Sequence, residues 1–266
     1  MEKYRAQRTF ADALKEKRNV MLAVMLRDMR SRYFNHGIGF LMVPLWPLAH
    51  MLVLLAIYNV MGRYTPYGNS LNIFFATGLV PTLTFMYVSR FMAVSVIQNR
   101  TLMMFPVVKT IDVVMARALL ECIGSCLTII ALFLVLIAWG EDPTPIDVPQ
   151  AAAAYLTSIM FAIGVGSLVS VIVMFMSWFL TIYFLLMVVV YASSGVLFVA
   201  SSLPSSVSVP LSYSPVFQCV EWMRSAYFPG YNERLLDRPY AVYCGMIALA
   251  VGLGVERISR RKVYES

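Results

Sequence analysis

Glu221 and Arg224 stand three residues apart in FQCVEWMRSAYFPGY, residues 217–231, with five aromatic side chains around them. On a helix that spacing brings a carboxylate to a guanidinium, and Arg117 with Glu121, four apart, repeats the pattern. Ion pairing is the chemistry these residues offer, and catalytic patterns are missing. There is no G-x-x-x-x-G-K-[ST], and none of the 14 glycines precedes a lysine, so no phosphate cradle of that kind exists. No HExxH, Ser/His/Asp set or paired carboxylates stand inside the apolar runs. His36 and His50 form no ligand pair, so no metal site is expected. Cys122 and Cys126, one helical turn apart in an apolar run, read as packing residues. Cys219 and Cys244 fall on one side of the topology derived below, which leaves a bridge between them open.

Membrane helices must position these residues. Of 266 residues, 60% are hydrophobic and 13% charged, which leaves too little polar side chain to cover a water-soluble globule. The mean hydropathy is +0.73. A net charge of +7 could suit nucleic acid, but the basic residues collect at the edges of apolar runs, so no nucleic-acid partner is expected. A span needs about 20 apolar residues to cross roughly 30 Å of hydrocarbon. Residues 38–61 qualify, with Pro44 and Pro47 as kink points. Residues 71–89 qualify, with Arg90 reaching for the interface, and residues 118–139 bring Arg117 and Glu121 to one membrane face. Residues 151–203 carry no charge and exceed one span, so they read as two, with a turn near Met176, Ser177 and Trp178. Residues 240–255 make a short last span flanked by Arg238 and Glu256. The fold class is therefore an all-α polytopic membrane protein with six transmembrane helices.

Lys and Arg set the orientation, because cytoplasmic loops collect them. The first 37 residues carry nine, residues 90–117 four and residues 257–262 four, against four in the alternate loops. Both termini are expected in the cytoplasm. The first apolar run begins after residue 37 and is longer than the core of a signal peptide, so it is expected to be retained.

Three segments lie between or before the spans. Ser214 and Pro215 are suited to a helix start, Val216, Val220, Met223 and Tyr227 recur at helical spacing, and Pro229 with Gly230 ends the element. A short amphipathic helix results, lying in the outer interface or dipping in and returning. Residues 98–117, QNRTLMMFPVVKTIDVVMAR, mix cations with Met103, Met104, Phe105 and Val107, a pattern of a partner surface. Residues 1–37 read as two amphipathic stretches, the first with Phe10 and Leu14 inward. The second sets Leu22, Met25, Met29 and Tyr33 opposite Arg27, Arg30 and Arg32, suited to an anionic leaflet or headgroup.

The middle of each expected span carries no Asp, Glu, Lys or Arg, which argues against an ion-coupled transporter. A passive channel would leave the docking segment unexplained, whereas a permease driven by a separate ATPase accounts for it. Trp46, Tyr58, Tyr87, Trp178, Tyr183, Tyr191 and Phe198 lie within spans. Flat rings with polar tips match the faces and hydroxyls of sugars, although core packing or an interfacial belt explains most such residues equally.

Three stretches carry a family likeness: LRDMRSRYFNHGIGFLMVPLWP, NRTLMMFPVVKTIDVVMARALLE and YSPVFQCVEWMRSAYFPGY. In this order and at these positions the chain resembles the transmembrane subunit of type-2 ABC exporters, specifically the capsular-polysaccharide permeases of Gram-negative bacteria, the KpsM-like group. The resemblance implies an inner-membrane homodimer with two copies of a cytoplasmic ABC ATPase, which would bind the ATP and magnesium, so no cofactor is expected in this chain. It implies further partners, a periplasm-spanning polysaccharide co-polymerase and an outer-membrane export protein, and a lipid-linked anionic polysaccharide as substrate. Residues 1–37 then resemble a cytoplasmic interface segment, and residues 38–266 a six-span domain with a coupling segment at 98–112 and a periplasmic gate segment at 201–238. Carried onto the sequence, Arg100, Met103, Met104, Phe105, Pro106 and Lys109 would receive the ATPase stroke. Arg27, Arg30, Arg32 and Tyr33 would meet the substrate headgroup. Trp46, Tyr58, Arg63, Tyr87, Arg90, Trp178, Tyr183 and Tyr191 would line the path, and Glu221, Trp222, Arg224, Tyr227 and Phe228 would form the gate. An O-antigen or teichoic-acid permease of the same superfamily is the near alternative; a drug or lipid exporter and a polytopic membrane enzyme are the distant ones.

Overall fold

In the computed structural model the described residues are 10–32, 42–62, 64–105 and 107–265, with the side chains of residues 10, 13, 31, 32 and 260–265 outside the description. Tyr33, Arg63, Pro106 and the side chain of Arg32 therefore lie outside it. The described residues form nine α-helices and no strand: α1 (Phe10–Arg32), α2 (Met42–Val60), α3 (Leu71–Gln98), α4 (Thr110–Ala138), α5 (Val148–Phe175), α6 (Phe179–Ser193), α7 (Ser205–Ser212), α8 (Pro215–Tyr227) and α9 (Arg238–Glu265).

Five of them, α2, α3, α4, α5 and α9, are long and apolar enough to cross a membrane. The charge-free run divides where expected, α5 ending at Phe175 and α6 beginning at Phe179. Its second half does not make a full span: α6 has 15 residues. The Ser193 and Ser194 hydroxyls donate back to the Val190 and Tyr191 carbonyls. Gly195 then turns the chain at φ +82°, a conformation that side-chain-bearing residues resist. Further helices run past the expected boundaries. α3 continues to Gln98, so Arg90 sits within a helix, and α4 begins at Thr110, so the Arg117 and Glu121 pair lies two to three turns inside it. Residues 10–32 form one helix instead of parts of two stretches, because no Gly or Pro interrupts them.

Local chemistry fixes the helix starts. The Ser70 hydroxyl accepts from the Ile73 amide at 3.2 Å to open α3, and the Asp147 carboxylate accepts from the Gln150 amide at 3.1 Å to open α5. Ser214 occupies the N-cap position before Pro215 as expected, though its side chain makes no capping bond.

α3 and α5 form the centre, with α9 and α8 packed on α5 and α4 and α8 on α3. Within a membrane, helices associate through close packing of small residues and hydrogen bonds between helices. Both devices are present. The Ser158 hydroxyl donates to the Pro81 carbonyl at 2.7 Å, joining α5 to α3, and the Thr128 hydroxyl donates to the Pro44 carbonyl at 3.1 Å, joining α4 to α2. α5 and α9 cross backbone to backbone: a Cβ added at Gly164 would stand 2.4 Å from the Ala248 carbonyl carbon, and one added at Gly252 would stand 2.3 Å from the Gly164 oxygen. Neither obstacle is a movable side chain, so Gly164→Ala is expected to cost about 1–3 kcal/mol. A lower thermal midpoint of the purified protein in detergent is the expected reading; an unchanged midpoint would mean that the crossing can widen freely.

Candidate functional site

α8 lies in the bundle, not on it. Its residues from Val216 to Arg224 are all buried, and both Glu221 and Arg224 are at 0% exposure. Of the two expected placements, this burial fits a helix shielded by its neighbours, since an aromatic and aliphatic face on one side and an internally paired ion couple on the other leave no side that requires water. Arg224 Nη1 donates to the Phe198 carbonyl at 3.0 Å and Nη2 to the Val196 carbonyl at 3.1 Å. Its guanidinium stands 4.0 Å from the centre of the Phe74 ring and 3.6 Å from Glu221 Oε1. Tyr231 donates to the same carboxylate oxygen at 2.9 Å. Burial pushes the Glu221 carboxyl above the usual carboxylate range, opposed by Arg224 and Tyr231. One cation therefore ties together α8, α3 and the turn after α6, where Gly195 directs two carbonyls at it.

The other α8 residues complete a plug. Trp222 Nε1 donates to Gln150 of α5 at 2.7 Å, and the Phe228 ring packs among Phe74, Tyr67 and Tyr231. Gly68, at φ +75°, lets the loop after α2 press on Phe228; a Cβ there would stand 2.6 Å from the ring. Tyr227 faces an apolar cavity of about 380 Å³ lined also by Ile73, Val80, Leu132, Ala151 and Met223. Cys219 and Cys244 are free thiols, as are Cys122 and Cys126.

α2, α3 and α6 bring together most of the expected path residues. Arg90 of α3 lies 4.2 Å from the Phe184 ring of α6. Further along, His50 of α2 meets Tyr87 of α3, Nδ1 to Oη at 3.1 Å, and its ring runs nearly parallel to that of Tyr191 of α6, at 6.3 Å and 26°. Beyond them Tyr58 stacks on Phe75 at 4.1 Å. Trp46, 68% exposed, stands one turn from His50 on the same helix. Arg90 and Phe75 are 15 residues apart on α3, so this aromatic row runs about 22 Å. Tyr183 does not join it; its hydroxyl donates to Ser89 at 2.7 Å inside the core. Trp178 stands exposed at the turn between α5 and α6.

α1 docks across the other end of the bundle. Val24 packs with Val113 and Ala116 of α4, joined by Val20, Met21 and Met103. Arg27 donates to Asn99 at 2.9 Å, and Lys17 lies 3.9 Å from Asp112. At the centre, buried Arg117 pairs with Glu121 and stands 4.0 Å from Asp28 of α1, which is also buried. Arg117 also faces the Phe91 ring at 4.8 Å. Leu14, Leu22 and Leu26 stay exposed along a second flank, so the apolar face expected around Leu22 divides between protein and surroundings. Arg27 is committed to Asn99, while Arg30 stays exposed. Between α3 and α4 the chain makes a single 3-10 turn, Leu102–Met104, rather than a longer helix. It carries exposed Arg100, Met104, Phe105, Val107 and Lys109 beside the α1 seam, with Met103 packed inward.

No family model matches the chain. Individual proteins do. The polysialic acid transport protein KpsM of Escherichia coli is 28% identical over 92% of this chain and 95% of its own. The capsule polysaccharide export inner-membrane protein CtrC of Neisseria meningitidis serogroup B is 29% identical over 93% of each, and BexB of Haemophilus influenzae 25% over 85% of each. This chain is a homologue of the capsule polysaccharide export inner-membrane proteins. The similarity runs over 85–93% of this chain.

Two residues of the site escaped the sequence reading. Asp28 sits between Arg27 and Arg30 and looks like part of a basic face, yet it falls four residues from Val24 and seven from Met21, on the packed side. That spacing was the available signal. His50 was weighed only as a metal ligand, although it is the one acidic or basic residue in residues 38–61.

Proposed function

We propose that this chain is the membrane-spanning subunit of an ATP-driven exporter of lipid-linked capsular polysaccharide. The observation that carries the reading is the end-to-end similarity to three named capsule export and transport proteins. Five spanning helices and the shorter α6 support a permease body over residues 38–266, with α6 and the turn after it completing a sixth, partial crossing. Both termini lie in the cytoplasm, α1 rests on the inner leaflet and α8 faces the periplasm. The charge distribution supports this orientation.

Two copies assemble side by side and two copies of a separate ATPase subunit, which binds the ATP and magnesium, dock on the cytoplasmic face. Arg100, Met103, Met104, Phe105, Pro106 and Lys109 form the docking point; the exposure of Arg100, Met104, Phe105 and Lys109 next to the α1 seam supports it. An anionic headgroup is admitted by Arg27, Arg30, Arg32 and Tyr33. The polymer follows the aromatic row from Arg90 past Trp46, Tyr87 and Tyr191 to Tyr58, with Arg63 as a further contact, while α8 and Phe228 close the far end with Trp222 and Tyr227. Glu221 and Arg224 hold that closure. Nucleotide and substrate shift the helices only so far as they bind the open and closed arrangements differently. A periplasm-spanning co-polymerase and an outer-membrane protein carry the product onward.

Phe105→Ala with Lys109→Glu is expected to leave the protein in the membrane and to abolish polymer-stimulated ATP hydrolysis by the purified complex. Wild-type stimulation in that variant removes the docking assignment, and failure to recover an ATPase with the wild-type chain removes the exporter reading itself.

A further inference from the structure

We propose that His50, together with the Tyr191 hydroxyl, is a polymer-contact site that recognises carbohydrate hydroxyls part-way along the aromatic row, a deepening that rests on the export reading above. An imidazole in an otherwise charge-free membrane helix is costly to keep, and such residues are functional candidates by default. The local geometry says what kind of function. His50 is half-buried, not sealed, and its Nδ1 already has the Tyr87 hydroxyl at 3.1 Å. A neutral imidazole carries one donor and one acceptor, so the second nitrogen, Nε2, has a hydrogen bond to offer beyond the one at Tyr87. The Tyr191 hydroxyl is buried with no hydrogen-bond partner among the described residues. Buried polar atoms are nearly always paired, and this one left over beside a half-buried imidazole points to a missing polar ligand.

The surroundings select its class. His50 is edge-on to Tyr87 at 88° and nearly parallel to Tyr191, and exposed Trp46 lies one turn below on the same face of α2. Ring faces with in-plane hydrogen-bonding atoms suit a pyranose, which presents apolar C–H faces and equatorial hydroxyls; an acyl chain would leave the polar atoms unpaired. Arg90, one turn from Tyr87 on α3 and over the Phe184 ring, adds a cation that suits an acidic sugar unit.

The test uses the intact exporter in its own cells. His50→Phe keeps a flat ring against Tyr191 but removes both nitrogens, and the rate at which polysaccharide reaches the cell surface is expected to fall about tenfold, the effect of one lost polar contact in a buried site. His50→Gln restores a donor and an acceptor and is expected to export within about threefold of wild type on the same grounds. Tyr191→Phe, which deletes only the unpartnered hydroxyl, should fall several-fold. Membrane levels of the protein and recovery of the ATPase are followed in each variant, and both are expected to stay at wild-type values. Export at the wild-type rate in His50→Phe and Tyr191→Phe, or a loss in His50→Gln but not in His50→Phe, overturns the proposal, since the first means no contact and the second means packing. If deleting the whole chain leaves surface polysaccharide unchanged, the export reading has failed instead, and that outcome is separable from the others because it precedes any variant.

Discussion

Arg224→Met is expected to remove most of the folded protein from the membrane. The substitution keeps an unbranched apolar stem, so the loss measures the guanidinium. It leaves the Val196 and Phe198 carbonyls without donors and Glu221 without its cation, all at a site closed to water. Removing one member of a buried pair typically costs about 3–5 kcal/mol. That is a large share of the 5–15 kcal/mol that separates most folded proteins from unfolded ones. Glu221→Gln should be much milder, because the amide oxygen still accepts from Tyr231 and Arg224 keeps its two carbonyls and the Phe74 ring. Membrane abundance and the thermal midpoint in detergent test both. Equal effects of the two variants would mean that the pair acts through its mutual charge alone, and that the three-way tie between α8, α3 and the turn after α6 is not what fixes α8.

That tie also marks how far the sequence could be followed. Spacing alone put Glu221 and Arg224 on one face and Arg117 with Glu121 on one turn, because such relations depend only on helical geometry. Hydropathy located all five spanning helices to within a few residues at their apolar centres, and even the turn at Met176, Ser177 and Trp178, which has neither Gly nor Pro. Helix ends were harder: α3 and α4 run beyond the apolar zone through residues 90–98 and 110–117, and in the second stretch Asp112 and Arg117 find partners on the docked α1. Which of its two expected placements α8 takes was not legible, since its burial depends on two carbonyls 26 and 28 residues away in sequence. The same holds for Asp28, whose meaning comes from a helix 89 residues on. In both cases a local ion-pair pattern was read correctly and its third partner, supplied by tertiary contact, was not.

Arg117→Leu carries the second large effect, at the opposite end of the bundle. In the folded chain Asp28 and Glu121 converge on one guanidinium whose side chain is 1% exposed. Without it two buried carboxylates face each other, and like charges in a low-dielectric site disfavour ionisation of both. The least costly relief is for α1 to leave, because its other ties to the bundle include only a small Val24 cluster, an exposed Arg27 with Asn99, and the partly exposed Lys17 with Asp112 among those described. The expected result is a loss of about 3–5 kcal/mol, seen as rapid proteolysis within residues 10–32 of the purified protein while the spanning helices stay protected. If α1 remains protected, the apolar seam alone holds it and the buried triad is dispensable. The charge-free combination Asp28→Asn, Arg117→Leu and Glu121→Gln separates docking from function. It should restore protection, since buried ion clusters replaced by neutral groups of similar size often lose no stability. Should export nonetheless stay low in that variant, the triad itself, and not merely the attachment of α1, is needed to transmit motion from the docking turn at Leu102–Met104 into α4.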